Sequence, residues 1–451
     1  MKIVKKPEDA VNPFLLPPGS RIYCSGNAAT PQILLNQLVA DTAIDDVELL
    51  GVLLLGEIES LFGRECCRRV THRVIFNSHH SREAVNRGWA QYQVMHLSDI
   101  PRQLQENIRP DTVFLSVSGP DNGGNFSLGT TVEAVPAAIA HVKEKGGRII
   151  AERNARMPFV LGATIPARQI DVLIDTDYDL PVSPVKAPDD RSGRIGEIIA
   201  GLYVENGSTL QYGIGEVPEA VTDAIIKKGV RHLGIHTELF ADAMRKLIDK
   251  GIVTNRFTLN NTSTSTIFLA GDKEGYRWLH ANCSVQGRPS NYTNNIQNIA
   301  RQPRMVAVNS AIGVDLHGNI WADSLFARRI YSGVGGQADF LRGAYLSEGG
   351  VPIIALKSTT AKGLPKVLDK CPEGITTTAI SADPVIIVTE YGAFNPGGLS
   401  IVERAVGIAH LADPGTRDKL LKHIYDSEEF HNPGEALKGG RPKGFTAYED
   451  I

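Results

Sequence analysis

Cysteine is scarce in this chain: five in 451 residues, at Cys24, Cys66, Cys67, Cys283 and Cys371, with no Cys-x-x-Cys pair and no Cys/His array. Such scatter excludes a zinc-ribbon or dithiol site and predicts reduced thiols in a reducing compartment, the cytoplasm. An excess of one charge is also missing, since 47 Lys and Arg face 50 Asp and Glu with no long run of either sign. Nucleic acid is therefore not expected as the main ligand, although a local cluster could hold one polyphosphate. Met1 to Asp9 is charged and no apolar stretch of signal-peptide length follows, while the longest apolar run, Leu49 to Gly56, is far too short to cross a bilayer. No membrane partner is expected. GxSxG elbow, P-loop and HExxH patterns are all absent, and no metal site is expected.

What is present is enough apolar sequence, 42% against 22% charged, for at least two cores. Four landmarks recur in the same order in both halves. Gly19-Ser20-Arg21-Ile22-Tyr23-Cys24-Ser25-Gly26, with Pro31 beyond, parallels Gly207-Ser208-Thr209-Leu210-Gln211-Tyr212-Gly213, with Pro218 beyond. Asp121-Asn122-Gly123-Gly124-Asn125 matches Asp315-Leu316-His317-Gly318-Asn319; Gly146 to Ala151 matches Gly349 to Ala355; Asp171 to Ile174 matches Pro384 to Ile387. A tandem duplication follows. The proline-rich stretch Asp179 to Asp190 marks a linker, giving domains over 1–185 and 191–451. Short continuous apolar strands such as Val113 to Val117 and Ile386 to Val388 alternate with amphipathic helices, which predicts an α/β protein of two related open domains with mainly parallel sheets. The two Asp-x-x-Gly-Asn turns are expected to add an antiparallel hairpin to each sheet.

Glu238 is the main candidate for chemistry. A strand is predicted over Arg231 to His236 and a helix from about Leu239, which puts His236-Thr237-Glu238 where an open α/β sheet faces its ligand crevice. Glycine-rich turns flank it in sequence: Gly213, Ile214, Gly215, Glu216 and Val217 on one side, Gly333, Gly335 and Gly336 on the other. Backbone N–H groups in such turns can meet an anion or an oxyanion, so a nucleophile between them suggests acyl chemistry. Two other readings stand beside it. Glu238 could be an acid favoured by a helix N-terminus with Thr237 as N-cap. It also lies 23 residues past Gly215, near where a dinucleotide fold places its ribose-holding acid, although Pro218 replaces the third glycine of that fingerprint. His79-His80 with Ser78 and Ser81 has no partner spacing and reads as a loop, His236 as a packed strand-end histidine, and Asp339 as a residue that holds a loop.

The combination of Gly26 with Pro31, Met157-Pro158, Leu161-Gly162, Gly213-Ile214-Gly215, His236-Thr237-Glu238, Tyr292-Thr293-Asn294, Ser332 to Phe340, Arg342-Gly343-Ala344 and Thr389-Glu390-Tyr391-Gly392 resembles the class I coenzyme A transferases, in their acetyl-CoA hydrolase/transferase branch of the 4-hydroxybutyrate type. The resemblance implies two related open α/β domains with the active site where they meet, Glu238 as nucleophile, CoA contacts from Gly213 to Val217, and CoA contacts and oxyanion donors from Gly333 to Gly336. It implies transfer of CoA between a short-chain acyl-CoA and a carboxylic acid through a glutamyl-CoA thioester, with CoA as substrate, no permanently bound cofactor, and a homo-oligomer, specifically a homodimer. The alternatives are acyl-CoA hydrolysis on the same scaffold and, from the glycine turn alone, an NAD-dependent oxidoreductase.

Overall fold

The computed structural model describes residues 1–326, 329–430, 434, 436 and 441–451. Eight strands form the first sheet: β1 (Lys2–Val4), β2 (Arg21–Cys24), β3 (Val47–Val52), β4 (Val70–Phe76), β5 (Gln91–Tyr92), β6 (Thr112–Val117), β7 (Arg148–Asn154) and β8 (Val172–Thr176). Nine form the second: β9 (Thr209–Tyr212), β10 (Gly234–Phe240), β11 (Ser263–Phe268), β12 (Val285–Gly287), β13 (Met305–Ser310), β14 (Val351–Ala355), β15 (Ile386–Thr389), β16 (Gly392–Phe394) and β17 (Phe445–Ala447). Their orders are β1-β8-β7-β6-β2-β3-β4-β5 and β12-β11-β10-β9-β13-β14-β15-β16-β17. Every pair in the first sheet is parallel. In the second, only β16 runs against its neighbours.

The central six strands of the two orders superimpose. From β2 the chain lays β3 and β4 on one side and β6, β7 and β8 on the other; from β9 it lays β10 and β11 on one side and β13, β14 and β15 on the other. The tandem duplication expected from the four landmarks is thus present as topology. Each half has a switch point where the order reverses, between β2 and β6 and between β9 and β13, and that is where an open α/β sheet opens a crevice at its carboxyl edge.

Both faces of each sheet are covered, so the central strands are buried along their length; Thr112–Val117 is buried at every position. The linker ends at Asp189, which caps helix Asp190–Tyr203 by accepting the Ser192 N–H at 2.9 Å. Ile195, Ile198 and Ile199 of that helix are fully buried, as their three-and-four spacing predicts.

The Asp-x-x-Gly-Asn turns are near-identical in geometry. Asp121 Oδ1 accepts from the N–H groups of Gly123 and Asn125, both at 2.8 Å, and Asp315 Oδ1 accepts from those of His317 and Asn319, at 3.0 and 2.8 Å. Their strands do not join the large sheets as expected. Asn125–Ser127 pairs with Thr164–Pro166 in a separate two-stranded sheet, and Gly313–Asp315 pairs with Ile320–Trp321 in a three-stranded one. A hairpin can satisfy its ladder with any free neighbour, and here Thr164–Pro166 and Val367–Leu368 supply one.

The halves meet along β11. Segment 130–132 of the first domain runs beside that strand, with Phe268 N–H donating to Thr130 O at 2.8 Å and Val132 N–H to Thr266 O at 2.9 Å.

Candidate functional site

Tertiary pairing carries β10 further than local sequence suggests, with Leu239 opposite Ile267 and Phe240 opposite Phe268 on β11. Glu238 therefore sits within the strand, near its carboxyl end, rather than at a strand-to-helix junction. The next helix, Asp242–Asp249, begins after Ala241 with no side-chain cap. Thr237 is not an N-cap; its hydroxyl donates to Leu239 O at 3.0 Å.

Strand alternation puts His236 and Glu238 on one face. His236 is buried, with Nε2 2.7 Å from Thr293 O and Nδ1 3.2 Å from Gln302 Nε2. A carbonyl only accepts, so Nε2 carries the proton and Nδ1 receives the Gln302 amide. Burial lowers its pKa to about 4, and it is a neutral, packed histidine. Beyond Thr293 comes Asn294. The Thr293 hydroxyl donates to Asn294 Oδ1 at 2.8 Å, which turns the amide so that Nδ2 donates to Glu238 Oε2 at 2.9 Å. The Gly336 N–H donates to the same carboxylate. A Cβ at 336 would overlap both Asn294 Nδ2 and Glu238 Oε2, so only glycine lets the backbone come this close.

These groups border a cavity of about 330 Å³. Its wall includes Glu238, Gly213, Ile214, Val217, Gly333, Gly335 and Gly336, together with the carboxyl ends of β9 and β13, so it is the crevice at the second switch point. The first domain adds Leu53 and Phe76. Seven of the nine site residues expected from sequence thus share one cavity. Gly215 lies on a smaller neighbouring cavity, and Glu216 turns away to Lys357 at 2.5 Å and Ser192 at 3.4 Å. Lys357 also holds Asp189 at 2.9 Å, so the turn before helix Glu216–Lys228 is tied to the interdomain linker.

Burial raises the pKa of Glu238 to about 7, with a further push from the Asp339 carboxylate; the Asn294 and Gly336 donors oppose the rise. Asp339 is 4% exposed and raised by burial to about 6, with Ser98 supplying a hydrogen bond at 2.9 Å. Glu133, from the first domain, is raised by burial to about 8, and it too feels Glu238. A carboxylate that ionises near neutrality, with the Asn294 amide fixed on one oxygen and the Gly336 backbone close beside it, is suited to carrying an acyl group whose carbonyl oxygen takes up charge. Holding a ribose requires neither donor. Sequence reasoning had no role for Asn294, which is 56 residues from Glu238 and on a short helix turn, Ser290–Thr293, with no periodicity to mark it.

His79 and His80 lie with ring centroids 3.8 Å apart and planes tilted by 40°, beside helix Ser81–Asn86. Among the described residues, no group of three or more His, Cys, Asp and Glu is placed to hold a metal ion. No helix among them is long and apolar enough to cross a membrane. All five cysteines are free thiols.

A duplicated α/β fold with an acid between two glycine turns at a switch point corresponds to a known class of enzyme. The chain belongs to the acetyl-CoA hydrolase/transferase family: its N-terminal domain model matches residues 1–185 and its C-terminal domain model residues 271–424. It is thereby an enzyme of the acyl-CoA:carboxylate CoA-transferase group, in which CoA is a substrate. Among individual relatives, a 4-hydroxybutyrate coenzyme A transferase of Clostridium kluyveri is 34% identical over 90% of this chain and 94% of its own length. A succinyl-CoA:acetate/propanoyl-CoA:succinate CoA transferase of Fasciola hepatica is 32% identical over 90% of this chain and 85% of its own. The crystal structure of RipA from Yersinia pestis matches with a TM-score of 0.87 at 30% identity, covering 94% of this chain and 97% of that one.

Proposed function

We propose that the protein moves coenzyme A between a short-chain acyl-CoA and a carboxylic acid, with Glu238 as nucleophile and a glutamyl-CoA thioester as intermediate. One observation carries this reading: a single carboxylate on the wall of the switch-point cavity, its Oε2 held by the Asn294 amide with the Gly336 backbone packed closely against it. A Glu238 oxygen attacks the thioester carbonyl carbon, and collapse of the tetrahedral oxyanion expels the CoA thiolate and leaves a mixed anhydride. The thiolate then attacks the glutamyl carbonyl carbon, the acyl group departs as its carboxylate, and CoA remains on Glu238. A second carboxylate enters and the steps reverse, so the cycle is ping-pong and the thioester bond energy is retained.

The first collapse is uphill. A carboxylate with pKa about 4.3 must displace a thiolate whose conjugate acid has pKa about 8.5, a gap worth roughly 6 kcal/mol. The raised pKa of Glu238 narrows it by strengthening the nucleophile. Oxyanion donors at about 3 to 4 kcal/mol each and positioning worth up to roughly 7 to 11 kcal/mol cover the remainder. When the thiolate attacks the glutamyl carbon, the oxygen that becomes negative already faces Asn294 and Gly336. CoA contacts along Gly213 to Val217 and Gly333 to Gly336 supply orientation, and binding energy from the remote nucleotide end of CoA is directed to the same step.

The same reading divides the chain into domains 1–185 and 191–451 and places it as a cytoplasmic homodimer, with free thiols supporting the compartment and the relatives' names supporting the substrate class. Incubation with acyl-CoA followed by borohydride or hydroxylamine should modify Glu238, as read by peptide mass spectrometry. No adduct at Glu238 would remove the reading. CoA release that does not depend on an acceptor acid would assign hydrolysis in place of transfer.

A further inference from the structure

The second glycine turn belongs to the C-terminal half, yet it is fastened to the other domain. Asn77, the residue after β4, gives its backbone N–H (3.2 Å) and side-chain Nδ2 (3.0 Å) to Ser332 O, while the Ser81 hydroxyl donates to Asn77 Oδ1 at 2.9 Å and fixes the amide. Gly333 lies so flat on Ile75 and Phe76 that a Cβ would collide with both. The Leu97 N–H donates to Gly335 O at 3.1 Å, and the Ser98 hydroxyl donates to Asp339 Oδ1 at 2.9 Å. Asp339 stands in the first turn of helix Gln337–Leu346, directly after Gly336, where a negative charge is favoured by the helix dipole. Its other oxygen, Oδ2, is buried with no partner among the described residues.

We propose that Ser98 and Asp339 form an interdomain positioning pair that holds the Gly335-Gly336 turn against Glu238 and, through the Asp339 charge, sets the pH at which Glu238 becomes a competent nucleophile. This rests on the reading of Glu238 given above. Asp339 acts through its neighbours and touches neither substrate nor reacting atoms. The charged groups that face Glu238 are Asp339, from the helix after the turn, and Glu133, from the first domain, where the Tyr23 hydroxyl donates to Glu133 at 3.0 Å. Asp339 itself faces His96, which favours its ionised form, and Asp99, which opposes it. A negative Asp339 disfavours a second negative charge on Glu238, so removing it must move Glu238 ionisation to lower pH.

Asp339→Asn keeps the shape and an oxygen to accept from Ser98 while deleting the charge. The expected result is an acid limb of kcat/KM displaced by at least about 0.5 unit to lower pH, which loss of structure alone would not produce. Ser98→Ala should lower kcat about tenfold with the KM for acyl-CoA little changed, as expected for one lost positioning hydrogen bond, and Ser98→Thr should restore it. In parallel, wild-type protein treated with acyl-CoA and borohydride is checked for the Glu238 adduct. If the adduct forms but the acid limb of Asp339→Asn does not move, the pair's role is overturned and the nucleophile stands. Without the adduct in wild type, both fall. Should Asp339→Asn not fold, the Ser98 variants decide: a kcat loss rescued by threonine supports the pair, and no loss overturns it.

Discussion

The two halves repeat one topology and have taken opposite tasks. Gly19-Ser20 and Gly207-Ser208 occupy the same place, Arg21 pairs with Glu48, and Thr209 pairs with Gly234. Counting four residues along β3 and β10 from those partners sets Val52 opposite Glu238. Val52 is 3% exposed and belongs to an apolar cluster, while its twin position carries the carboxylate that borders the cavity. Buried acids of the first half are closed off: Glu133 accepts from Tyr23, and Glu152 accepts from Tyr178 at 2.7 Å and from the Leu34 N–H at 2.8 Å. The difference teaches that strand order decides where a crevice forms, and the side chain at a given register decides which of two equivalent positions presents a carboxylate to it.

The comparison breaks most sharply at Glu238. Glu238→Gln should cut kcat by more than about 1,000-fold, because the amide cannot form the anhydride, while the melting temperature holds or rises as a buried ionisable group is removed; wild-type turnover by this variant would end the distinction between the halves. Asn294→Ala should reduce kcat about 100-fold, the typical size for one missing oxyanion donor, in steady-state assays with saturating acceptor. Glu152→Ala should do the reverse, leaving the Glu238 adduct intact and lowering unfolding stability by about 1 to 3 kcal/mol in urea titrations, since the Leu34 N–H and Tyr178 hydroxyl lose their acceptor. The pH profile sharpens the contrast further. Glu238 is raised to about 7 and must be ionised to attack, so kcat/KM should fall about tenfold per unit as pH drops below that value. A limb near the ordinary glutamate range would mean that the site is wetter than its geometry.

Much of this was legible in the chain before folding. Glycine turns, the linker prolines and the paired Asp-x-x-Gly-Asn segments are local signals; they pointed to two α/β units in tandem, and several residues of the glycine turns line one cavity with Glu238. Other features were invisible because their causes are not local. Thr237-Glu238-Leu239 has little strand propensity of its own, and β10 reaches Phe240 only because β11 supplies partners. Asn294 is aimed by Thr293 across a short turn whose position depends on the fold. Asn77 and Ser98 meet the glycine turn across 255 and 241 residues of sequence, so no spacing rule could link them. The hairpins found other partners than the large sheets because ladder pairing is decided by what is free nearby.

The braces at Asn77, Leu97 and Ser98 carry one more consequence. A fragment truncated to the half that holds Glu238 would keep its sheet and that carboxylate, but the glycine turn beside it would lose the contacts that fasten it to the other half.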